Sequence, residues 1–291
     1  MSSLERMSSQ KSISYRVLGR ILVQMIKWIP FLLSSLALVL IPFTCSATLI
    51  PVKQKEGTCR GFLVLRSQQG KTLATGEVIQ TTDGERVTSE VVFHFRDGSI
   101  DDEVTVFSQN SDFRLISDHL RQQGPSFPKP IDLTMDVASG TLEISTDKDS
   151  KQKSEQQHLD IPEDAANGLL PILLKNISPS EAETTVSLVA TSSKPRVVKL
   201  KIHPAGEQLF SASGEDVQAI HYAIHFDIGG VAGAVASAVG KQPPDFHCWI
   251  VGGKVPVFVK FTGQLYEGGP IWNIELATVR PVNPNSTRKR Y

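Results

Sequence analysis

The sequence predicts a mainly β fold with short helices: a curved antiparallel meander, a half-barrel or barrel-like sheet, carrying helical insertions. Three observations lead there. From Gly57 onward, short apolar-polar runs follow one another, cut by turn residues and with little helical pattern between them, so sequence neighbours should pair antiparallel. Asp97-Gly98 between runs 91–96 and 102–108 is a strong hairpin signal. Residues 218–228 alternate cleanly, with Ile220, Tyr222, Ile224, Phe226 and Ile228 on one face and His221, Ala223, His225 and Asp227 on the other.

In chain order, the remaining strands are expected at 71–80, 114–121, 131–137, 141–145, 184–191, 197–203, 208–213, 246–251, 255–261 and 271–278. The last three carry Trp249, Phe258, Phe261 and Trp272, which points to a dense core at that end. Two segments break the pattern. Residues 148–157 (KDSKQKSEQQ) are polar and charged, the composition of a solvated loop. Residues 161–176 change to helical chemistry, with Asp160 as the candidate cap, Pro162 near the first turn, acids Glu163 and Asp164 at the start and Lys175-Asn176 at the end. Pro171 should kink or split that helix. Its leucines 169, 170, 173 and 174 need cover from the sheet or from a ligand.

Ahead of this lies a leader. Arg6, Lys11, Arg16, Arg20 and Lys27 against Glu5 form a basic region, followed by the apolar run 28–43 and the small residues Cys45-Ser46-Ala47. That order is a secretory signal, so residues 1–47 are expected to be cut after Ala47, with an uncleaved membrane anchor as the alternative. The uncharged core is shorter than the roughly 20 residues that span a bilayer, which favours cleavage. The mature domain is then 48–282, with a polar, basic tail at 283–291 expected to be disordered.

Chemical signals are sparse. Net charge is +0, with 30 basic and 30 acidic residues, which gives no field for nucleic acid. The glycine-rich run 227–241 (DIGGVAGAVASAVGK) fails both phosphate-binding spacings, since Val235 stands where a Walker loop needs Gly and Gln242 where it needs Ser or Thr. It reads instead as a short helix at 230–239 with Val231, Val235 and Val239 in one stripe, packed on a sheet or acting as an apolar lid that contacts lipid. His221 and His225 lie about 13 Å apart along a strand, too far for one metal ion. His225 and Asp227, at about 7 Å, could pair. The acids Asp101, Asp102 and Glu103 sit beside a hairpin turn, where carboxylates are usually solvated. No catalytic residue, metal or cofactor is assigned. Cys59 and Cys248 would either pair in an oxidising compartment or stand as separate thiols.

The combination of an exported chain, an antiparallel meander, a helical insertion at 161–176 and an apolar segment before the last strands resembles periplasmic half-barrel proteins, the LolA/LolB-like lipoprotein carriers and related envelope families. The resemblance implies a curved sheet whose concave face holds acyl chains. It also implies that Leu169, Leu170 and Leu173, with Val231, Val235 and Val239, line or gate that cavity. The expectation is an exported, periplasmic or envelope-associated, non-enzymatic protein with an apolar or lipid-like ligand and contact with a membrane surface. A structural or protein-interaction module filled by its own helices is the alternative, and an enzyme acting on envelope glycans or lipids, resting on His225, Asp227 and the acidic hairpin, is the third reading.

Overall fold

A computed structural model describes residues 48–148, 151–190, 195–212, 214–228 and 243–281, and the fold belongs to the unit Ala47–Tyr291. The expected leader at 1–47, the expected stripe Val231, Val235 and Val239, and the expected tail at 283–291 lie outside the described residues.

The chain is mainly β, one open antiparallel sheet built from two meanders. The first runs through β1 (Cys59–Ser67), β2 (Thr72–Asp83), β3 (Arg86–Phe95), β4 (Ile100–Gln109), β5 (Phe113–Gln123), β6 (Ile131–Asp136), β7 (Thr141–Lys148) and β8 (Lys151–His158), each paired with the next. The Asp97-Gly98 turn joins β3 to β4. Gly98 takes φ 86°, and Asp97 Oδ1 accepts from Ser99 N at 2.9 Å, the local chemistry that made this hairpin readable.

After a helical insertion, the second meander runs through β9 (Thr184–Ala190), β10 (Arg196–Ala212), β11 (Glu215–Asp227), β12 (Phe246–Val251), β13 (Val257–Gln264) and β14 (Ile271–Leu276), followed by β15 (Val279–Pro281). β14 pairs with β1 and so welds the two meanders. β9 and β15 occupy the same edge of β10, at Arg196 to Ile202 and Phe210 to Ala212 respectively. The C-terminal corner therefore folds back on itself, around Phe210, Ala219, Val259 and Val279.

Three local expectations are corrected. Of the polar run 148–157, Lys148 and residues 151–157 lie in strands and not in a loop, because β7 and β8 pair from Thr141↔His158 to Lys148↔Lys151. β8 is the last strand of the path, with Ser154, Glu155 and Gln156 exposed, so its ladder needs no apolar alternation. Runs 197–203 and 208–213 are one strand, β10, which carries an extra residue between Pro204 and Glu207. A bulge accommodates the missing N–H of Pro204 and the positive φ of Gly206 (104°). The helix expected over 161–176 shrinks to a 3-10 turn, Asn167–Leu169, and a single-turn helix α1, Leu170–Leu174. Pro171 stands in the first turn of α1, where its absent N–H costs nothing, so it starts a helix rather than kinking one. Asp160 caps neither piece, and residues 164–166 are instead tied to β9 by Ala166 N to Ser187 O (2.8 Å) and Ser187 N to Asp164 O (3.1 Å).

The insertion explains why the sheet must curve. The 3-10 turn touches β4, β5 and β9 together. β4 and β10, the neighbour of β9, stand eight places apart in the strand order, about 38 Å in a flat sheet. One turn of helix reaches both sides only if the sheet wraps around it. Its concave face supplies Phe107, Leu115, Leu133 and Leu142 from one arm and Leu200, Tyr222, Ile224 and Cys248 from the other, all in one apolar cluster with the insertion.

Candidate functional site

The three described leucines of the expected cavity are core residues. Leu169 is 1 % exposed, Leu170 7 % and Leu173 3 %, packed with Leu174 and Ile177 into the concave face. Tyr222 Oη closes this layer by donating to Ile177 O at 3.0 Å, and burial pushes its hydroxyl pKa up to about 12.

Beside the insertion, the same concave face holds a band of acids, which corrects the expectation of a solvated acidic turn. Strand alternation sends Asp101, Glu103 and Thr105 inward, opposite Gln122, Leu120 and Asp118 of β5. Asp101 accepts from Gln122 Nε2 (2.8 Å), which also donates to Leu265 O (2.9 Å). Asp118 accepts from Thr105 Oγ1 at 2.8 Å. Burial raises the Asp101 pKa to about 6 against the Gln122 hydrogen bond, with Asp102 adding to the rise. Burial likewise raises Asp118, opposed by Thr105, His119 and the Gly168 backbone. Glu103 is pushed well above the carboxylate range by desolvation, then by the charges of Asp118 and Asp101. Gly168 seals the band, since a Cβ there would lie 1.9 Å from Thr105 Oγ1 and 3.0 Å from the Glu103 carboxyl. These acids are neighbours that favour protonation, under a lid that only glycine fits.

The outer face of β10–β14 and β1 carries a different set. Cross-strand register lines up His221, Trp249, Lys260, Glu275 and Val64 in one row. His221 Nε2 and His247 Nδ1 are 3.0 Å apart, and the His221 ring stacks on Trp249 at 4.5 Å and 5°. Burial, then the neighbouring His247, lowers the His221 pKa, with a hydrogen bond to the Ala205 backbone working against them. Lys260 Nζ lies 5.1 Å from the Trp249 ring centroid and 3.9 Å from Glu275, which also pairs with Arg66 at 3.2 Å. A groove of about 430 Å³ adjoins this row, lined by Val64, Arg66, Gly70, Glu275, Leu276 and Val279 among others. It lies on the outer face, away from the buried leucines. Trp249 Nε1 is buried with no acceptor among the described residues.

The remaining candidates are dispersed. His225 pairs with Asp245 (2.8 Å) and Asp227 with Lys201 (2.8 Å), so the His225–Asp227 pair is not formed. Both side chains point outward, opposite the acid band. His203 meets Glu183 at 3.4 Å. Cys59 is an exposed free thiol at the start of β1, while Cys248 is a buried free thiol in β12, so the candidate disulfide is absent. Burial pushes both thiols up. Among the described residues, no group of three or more His, Cys, Asp or Glu side chains is placed to hold a metal ion.

The sequence signal for the His221–His247–Trp249 group existed in the alternation of two strands, but it needed their register. Asp118 was hidden more deeply. A bulge gives β5 one extra residue opposite Val106 and Phe107, so Leu115 and Asp118 face the same side although three residues apart. No protein-family model matches the chain, and no curated protein matches it either.

Proposed function

We propose that the chain is an exported cell-envelope protein that acts as a structural or protein-interaction module, without a catalytic role, its curved sheet filled by its own helical insertion. The observation that carries this reading is the burial of Leu169, Leu170 and Leu173 between the two arms of the sheet. An acyl chain gains about 0.8 kcal/mol per CH₂ on burial, but only where apolar side chains are still open to it. Those leucines already have that gain from each other and from the sheet.

The acid band supports the same reading. A carrier for acyl chains gains nothing from three carboxyls on its concave wall, whereas a filled core can tolerate them protonated or hydrogen-bonded. Native mass spectrometry of the protein purified from its envelope, with an apolar fluorescent dye titrated alongside, tests it. The expected outcome is a bare protein mass and no dye enhancement. A stoichiometric co-purified lipid would overturn the filled-core reading in favour of an apolar-ligand carrier.

A further inference from the structure

The insertion is anchored by a buried carboxylate with three donors. Asp164, its side chain 1 % exposed, accepts from Ser187 Oγ at 2.5 Å, from Lys199 Nζ at 3.1 Å and from the backbone N of Thr48 at 3.4 Å. Ser187 and Lys199 come from β9 and β10, so Asp164 ties the insertion to the sheet. The third donor comes from the opposite end of the domain, 116 residues earlier.

Thr48 is also the first residue after Cys45-Ser46-Ala47, the small residues of the leader. Immediately beyond it the chain is pinned. Ile50 is 5 % exposed, its O accepts from Phe113 N (3.0 Å), Val52 N donates to Ser111 O (2.9 Å), and Lys53 N and Gln54 N both donate to Asn176 Oδ1 (3.0 and 2.7 Å). Thr48 itself is exposed, so its N end is open to a protease while its nitrogen faces a carboxylate.

We propose that the chain is hydrolysed between Ala47 and Thr48 and that the new α-ammonium of Thr48 is held by Asp164. Water adds across the bond. Ala47 leaves with the new carboxylate, and the Thr48 nitrogen, an uncharged single donor while it is an amide, takes up a proton to become a three-donor cation. Asp164 then lies between two cations, Thr48 and Lys199, with Glu163 beside it engaged by Arg114. Processing thus tightens the joint that holds the insertion in the sheet. This rests on the export reading, and it is independent of what the sheet binds.

N-terminal sequencing and intact mass of the protein exported by a secreting host are the first measurement, with Thr48 expected as the first residue. A mature chain that keeps Met1 or starts elsewhere overturns the cut. The second is the rate at which the α-amine of the processed protein is reductively methylated at pH 7. It should be about tenfold slower than in Asp164→Asn, the fall in free amine that one unit of raised pKa brings. Should that variant not fold, a Gly inserted between Ala47 and Thr48 displaces the amine while leaving Asp164, Ser187 and Lys199 in place. That variant should react equally fast as a free amine. A processed chain starting at Thr48 whose amine reacts at the same rate as in the insertion variant keeps the export reading and overturns the capture.

Discussion

Glu103 and Glu275 are the same residue on opposite faces of one sheet, and they behave as different chemical groups. Glu103 looks inward at Asp118, Asp101 and Thr105, with the insertion above it, and is driven toward its protonated form. Glu275 looks outward, its side chain 16 % exposed, between Arg66 and Lys260. Partial burial is common to both. What separates them is the charge nearby: cations on the outer row, with Lys260 directly across the strand from Glu275, and on the inner face the acids Asp118 and Asp101, with only Leu120 and Val91 directly across from Glu103. Desolvation disfavours charge at both places, and only a paired charge offsets that cost.

The largest effect should come from the inner face. Leu169→Ala removes a fully buried side chain from the apolar cluster that both arms share, and a loss of about 4 kcal/mol in urea denaturation is expected. A loss below about 1 kcal/mol would mean that the concave face is loosely filled, and would return the leucines to the role of cavity wall.

Next is the pH response of the acid band. Asp101 titrates near 3.8 in the unfolded chain and near 6 in the folded one. Between those values the folded state keeps a proton that the unfolded state has lost, so stability falls as pH rises. The contribution is complete below about pH 4 and gone above about pH 6, worth up to about 3 kcal/mol. Asp118 and Glu103 act with the same sign. His221, whose pKa is lowered, acts with the opposite sign and loses stability as pH falls. Comparing Asp101→Asn with the parent at pH 4 and pH 8 isolates the one carboxyl. An identical pH difference in both proteins would show that the inner face is wet.

Gly168→Ala should cost about 2 kcal/mol, because the new methyl meets Thr105 and Glu103 and one of them must turn away. Glu275→Gln on the outer row should cost about 1 kcal/mol, and the loss should shrink in high salt. Equal costs for an inner and an outer acid would erase the contrast between the faces.

Much of the sheet was readable because its signals are local. Alternation over 218–228 correctly assigned the inward residues Tyr222, Ile224 and Phe226, and Asp97-Gly98 gave its hairpin. Failures came where the cause is remote. β8 has no pattern because an edge needs none, and β10 was divided at Pro204 because a bulge cannot be seen without its partner strand. The short α1 follows from Asp164 being claimed by Ser187 and Lys199, residues that only the fold brings near. The acid band required both the bulge in β5 and the placement of Gly168 over it.

The ladder between β1 and β14 carries one more consequence. It joins Leu63 to Leu276 and Val64 to Glu275, more than two hundred residues apart in the chain, while most other rungs close through short turns. Each meander can therefore zip along its own hairpins, but β1 keeps an unsatisfied edge until almost the last strand has been made and delivered. Joining such distant segments is the slow, entropically costly step of folding. The molecule thus carries a built-in delay, in which its two halves exist before the weld that makes them one sheet.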